Sequence, residues 1–110
     1  MEIINQTQLD ECLTGEMELD QDLMQSAIKE MKAHSSAMRN ALEAQDYEAW
    51  RSSAHRGVGG NATLGFILLA EQFRNAENHT ATDPERAAVL GRINELIELT
   101  QQELVRMGLL

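Results

Sequence analysis

The chain has 110 residues, a formal net charge of −9, one proline, one cysteine and four aromatic residues. That length holds one domain with one core, and the acidic balance argues against nucleic acid as a partner. Runs of Val, Ile and Thr with period two are absent, so strands are not expected, and a core of Leu, Ile, Met and Ala favours helices.

Residues 7–13 read as a short helix closed by Gly15, with Leu9 and Leu13 one turn apart. Asp20 is the expected N-cap of the second helix, with Leu19 and Met24 as its hydrophobic staple. Leu19, Leu23, Ala27, Met31, His34, Met38 and Leu42 then recur at three-to-four spacing and carry that helix to about Ala44. Asp46 caps a third helix whose inner stripe is Tyr47, Trp50, Ala54 and Gly57. A break near Thr63 precedes a fourth, with Leu64, Ile67, Leu68, Phe73 and Ala76 on its apolar face. Residues 78–82 form a polar loop. Asp83 followed by Pro84 reads as an N-cap and first helical residue. Leu90, Ile93, Ile97, Thr100, Leu104 and Met107 carry the last helix. Short links between four long helices predict an all-α fold, an antiparallel up-down four-helix bundle with a short extra N-terminal helix, over residues 1–110.

Charge is uneven. Residues 1–28 hold seven acids and no base, so −7 of the −9 lies there. Cys12 is alone and permits no intrachain disulfide. No run approaches the roughly 18 apolar residues of a membrane span, so no membrane partner is expected. The start of the chain lacks a basic-then-apolar leader. These features point to the cytoplasm.

The segment with most chemical content is Ala54-His55-Arg56-Gly57-Val58-Gly59-Gly60-Asn61-Ala62-Thr63-Leu64-Gly65. Each glycine inside a helix costs about 1 kcal/mol relative to alanine, so Gly57, Gly59 and Gly60 need an offset or the helix stops. Gly59 lies one turn beyond His55 on the same face, which leaves the imidazole beside bare backbone. Glu48, Arg51, Ser52, Val58 and Ala62 share that face. A neutral imidazole offers a nucleophilic nitrogen, and an acid on its other nitrogen fixes the tautomer. A phosphoryl group placed there needs a cation, and Arg51 at i−4 is placed to supply it.

This stretch resembles the signature of histidine phosphotransfer (HPt) domains, Ala-His-x-Leu-Lys-Gly with a Leu-Gly pair nine and ten residues after the histidine. His55, Gly59, Leu64 and Gly65 fall in register, and the helical layout resembles the family over nearly the whole chain. The resemblance implies a phosphorelay carrier without a nucleotide site or cofactor. His55 would accept a phosphoryl group from a receiver-domain aspartate and pass it to a response-regulator aspartate. Glu77, twenty-two residues on, falls where the family places a Glu or Gln on the second ring nitrogen. Gly59, Arg56, Val58 and Ala62 would meet the partner. Implied partners are response-regulator receiver domains and a hybrid sensor histidine kinase, and the common form is a monomer. Two positions depart from the pattern: Gly57 replaces its leucine and Val58 its lysine. The missing lysine favours an alternative, a non-phosphorylated helical adaptor that docks a receiver or kinase domain.

Two other patterns are set aside. Gly57-Val58-Gly59-Gly60-Asn61-Ala62 formally matches a dinucleotide fingerprint, but an amphipathic helix precedes it where a strand is required. Glu30 with His34 and Glu77 with His79 lack the spacing of a di-iron bundle, so no metal is expected. His34 reads as a partly buried structural histidine, and the six methionines as core filler.

Overall fold

The computed structural model describes residues 2–110 and is all-helical among them. Five helices follow in order: α1 (Gln6–Cys12), α2 (Met17–Glu43), α3 (Tyr47–Thr63), α4 (Ile67–Asn78) and α5 (Asp83–Arg106). Helix α2 packs on α3 and α5, α4 packs on α3 and α5, and α1 rests on α3. No described helix is long and apolar enough to cross a membrane.

The core forms where the stripes meet. Met24, Met31 and Met38, seven residues apart, lie fully inside α2. They face a core shared with Trp50 and Ala54 of α3, Leu69 and Phe73 of α4, and Val89, Ile93, Ile97 and Leu104 of α5. The stripe expected on α5 is buried from Leu90 through Leu104, with Met107 at the C-cap. His34 is half-buried, edge-on to Phe73 with ring centroids 6.5 Å apart.

The start of α2 differs from expectation. The helix begins at Met17, with Glu16 at the N-cap position, so Asp20 is inside its first turns. Asp20 is buried, and its carboxylate turns back to the preceding link. There it accepts from the Thr14 N–H at 2.8 Å, the Thr14 hydroxyl at 2.8 Å and the Gly15 N–H at 3.1 Å. Because Asp20 takes the inner position, Leu19 and Leu23 turn outward, 51% and 38% exposed, and the Leu19–Met24 staple does not form. The inner face of α2 runs through Met24, Ala27, Ile28 and Met31 instead.

The Thr14 N–H holds the Asp20 carboxyl below its ordinary value, against the opposing effect of burial, with the Thr14 hydroxyl and Gly15 N–H adding. A carboxyl depressed in the folded state stabilises above its unfolded pKa, and that stabilisation disappears as pH falls through the folded value. Asp20→Asn is therefore expected to melt below wild type at pH 7. The gap should close as pH falls below about 4, the unfolded value for aspartate. Thermal melts followed by circular dichroism across that range check this; a gap independent of pH would count against it.

Smaller corrections follow at the later helix ends. Asp83 does not cap α5. Thr82 does, in a capping box in which its hydroxyl accepts from Glu85 N–H and Glu85 Oε1 accepts from Thr82 N–H. Asp83 accepts instead from the Tyr47 hydroxyl at 3.2 Å and from Arg86 at 2.9 Å. The Arg86 guanidinium stacks 4.1 Å over the Tyr47 ring. Tyr47 therefore stands outside the core stripe, and Pro84 is the second helical residue. Asp46 does cap α3, accepting from Ala49 N–H. Leu64 is the C-cap of α3, and α4 starts after Phe66, with Ile67 outward and Phe66, Leu69, Ala70, Phe73 and Ala76 inward. Gly65 has φ +81°, and a Cβ there would stand 2.6 Å from the Asn5 carbonyl oxygen. Glycine at that point lets the α1 entry close on the α3–α4 turn through an Asn5 N–H to Gly65 carbonyl bond of 2.7 Å.

Candidate functional site

Helix α3 does not stop at its glycines; it continues to Thr63. The reasons differ by position. At Gly57 a Cβ would lie 2.3 Å from Phe73 Cδ1, so the bare backbone is where the α4 ring seats. The side-chain amide of buried Asn61 donates to the Gly57 carbonyl at 2.6 Å, which gives that buried amide a partner. Gly59 and Gly60 are exposed, and a Cβ at either meets nothing within 4 Å. Packing within the chain does not require glycine at those two positions. Their effect is to leave an outer surface without side chains.

His55 stands at the edge of that surface. Its side chain is 74% exposed, and its Nδ1 lies 2.8 Å from Oε1 of Glu77, which is only 19% exposed. A carboxylate can only accept, so the Nδ1 of a neutral ring carries the proton and Nε2 keeps its lone pair. The pair spans two helices, and its geometry depends on their register. Two contacts hold that register: the Phe73 ring on Gly57, and a buried hydrogen bond of 3.0 Å from Trp50 Nε1 to the Ala76 carbonyl. The Thr80 hydroxyl donates to the same carbonyl at 2.9 Å. Trp50 therefore anchors the backbone unit next to Glu77, a role that its place on the apolar stripe does not reveal.

The other expected residues are distributed around the pair. Arg51 and Arg56 are exposed and form no ion pair among the described residues. Arg56 lines a shallow cleft of about 80 Å³ between α2 and α3, together with Glu30, His34 and Gly60. Val58 is half-buried against the core margin, and Ala62 is half-buried beyond it. Glu77 meets His55 across the helix seam, while Glu30 and His34 line the α2–α3 cleft. Among the described residues no three His, Cys, Asp or Glu side chains converge as a metal-ligand set. Comparison with family models, curated proteins and solved structures gives no match to this chain.

Proposed function

We propose that this chain is a histidine phosphotransfer domain, built as an antiparallel up-down four-helix bundle with α1 appended. The observation that carries the reading is the exposed His55 ring held through Nδ1 by Glu77, beside the bare Gly59–Gly60 surface. The Nε2 lone pair attacks the phosphorus of a receiver aspartyl phosphate. The N–P bond forms as the P–O bond to the aspartate breaks, and the aspartate leaves as carboxylate. The ring then carries positive charge, which the Glu77 carboxylate offsets through Nδ1–H. The reverse step delivers the phosphoryl group to a second aspartate. The absence of side chains at Gly59 and Gly60 lets the partner's loops approach Nε2 closely. Partners in this reading are response-regulator receiver domains and a hybrid sensor histidine kinase, met in the cytoplasm by a monomeric carrier.

The test is incubation with a panel of phosphorylated receiver domains, read by intact mass and by acid lability of the product. A single acid-labile, alkali-stable phosphate supports the carrier. Binding of receivers without transfer supports the adaptor reading instead, for which half-buried, uncharged Val58 is the favouring observation. Val58→Lys places a cation one turn from His55 and is expected to slow loss of the phosphoryl group or speed its acquisition. Unchanged rates would mean that another group already supplies the charge.

A further inference from the structure

A phosphoryl group on His55 brings close to two negative charges beside the Glu77 carboxylate, and that accumulation requires cations. The chain has nine Lys and Arg residues. Arg86 and Arg106 are in ion pairs, and Arg92 donates to Gln72. Lys29, Lys32 and Arg39 belong to α2. The remaining three, Arg51, Arg56 and Arg74, are exposed, and the described residues offer none of them an ion-pair partner. Arg56 is about 100° around α3 from His55 and lines the α2–α3 cleft.

Arg74 is the one that the linear pattern around His55 does not show. It lies on α4, three residues before Glu77, so the two share a helix edge. The α3–α4 contacts set its level. His55 meets Glu77 and Gly57 seats Phe73, so moving forward along α3 means moving back along α4. Arg74 follows Phe73 and therefore stands between the levels of Gly57 and His55, where the cation of α3, Arg56, is turned about 100° away from the ring. Phe73 is fully buried while Arg74 is exposed, which places the arginine on the outer margin of the seam. Glu71 and Glu77 are both three residues away, yet neither forms an ion pair with it among the described residues.

We propose that Arg74 is a catalytic residue of this site: its guanidinium, supplied from α4, closes with Arg51 of α3 on the phosphoryl oxygens carried by His55 Nε2. The proposal rests on the phosphocarrier reading above. A planar guanidinium suits this role because it offers two parallel donors to phosphate oxygens.

Phosphoramidate is a donor that tests the site without any receiver. Nε2 forms the N–P bond, the P–N bond of the donor breaks, and its protonated nitrogen leaves as ammonia. Labelling of His55 is followed by intact mass and phosphorus NMR in wild type, Arg74→Ala, Arg74→Lys and Arg92→Ala. Arg92→Ala makes the same change in net charge on α5. Losing one charge-assisted contact to the phosphoryl group slows labelling about tenfold in Arg74→Ala. Arg74→Lys recovers part of the rate, and Arg92→Ala labels as wild type. Wild-type labelling by Arg74→Ala overturns the assignment, as does an equal loss in Arg92→Ala, which would report net charge alone. A folded wild type that takes no label at His55 overturns the phosphocarrier reading itself, and this proposal with it.

Discussion

Gly57→Leu is expected to destabilise the fold by about 1–3 kcal/mol, the range for overpacking a well-filled core, and Gly57→Ala to do so in the same direction. The Phe73 ring presents Cδ1, Cγ and Cε1 at 2.3, 2.5 and 2.6 Å from the position of a Cβ at residue 57. A whole ring edge is involved, so rotating one atom away does not relieve the clash. Alanine would otherwise gain about 1 kcal/mol of helix propensity over glycine, and the clash outweighs that gain. Phe73→Leu removes the ring edge, so Gly57→Ala should cost less in that background, with a coupling of about 1 kcal/mol. Urea denaturation of the four proteins measures the cycle. A Gly57→Ala variant as stable as wild type would sink the argument. The same contact gives a physical account of one departure from the phosphotransfer signature. Phe73 occupies the space that a side chain at position 57 would enter, so the glycine and the phenylalanine form one compensating pair.

His55→Gln is expected to reduce phosphoryl acceptance to background while leaving stability within about 0.5 kcal/mol of wild type, as for other exposed substitutions. The ring is largely in solvent and its loss opens no cavity. A glutamine side chain offers an amide for Glu77 but no nucleophilic nitrogen. Intact mass after exposure to phosphorylated receivers, with a parallel thermal melt, separates the two effects. Retained labelling would move the site away from His55. Loss of labelling together with loss of fold would remove the distinction between nucleophile and scaffold.

The five helices were legible in the chain because their signals are local. The Asp46 cap acts within three residues, the break after Thr63 leads to Gly65 at positive φ, and the stripe from Leu90 to Leu104 repeats at helical period. Local signals failed where a side chain found a partner outside its own helix. Asp20 and Asp83 have the composition of N-caps, but one carboxylate turns back to Thr14 and the other meets Tyr47 of α3. Leu19 and Leu23 fit an apolar stripe, but Asp20 takes the inner position beside them.

The candidate site divides in the same way. His55 and its glycines stand out in one short segment, and Glu77 enters the sequence reading only through the family resemblance. The 2.8 Å contact between them follows from seating Phe73 on Gly57 and Trp50 on the Ala76 carbonyl. By itself, then, the sequence determined the helices, the Asp46 cap and the segment that carries His55 and its glycines, because propensity, capping and periodicity act within a few residues. Only the tertiary structure decided that α4 brings Glu77 to the ring and Arg74 to a level between His55 and Gly57. That register comes from long-range packing between side chains that no local pattern pairs.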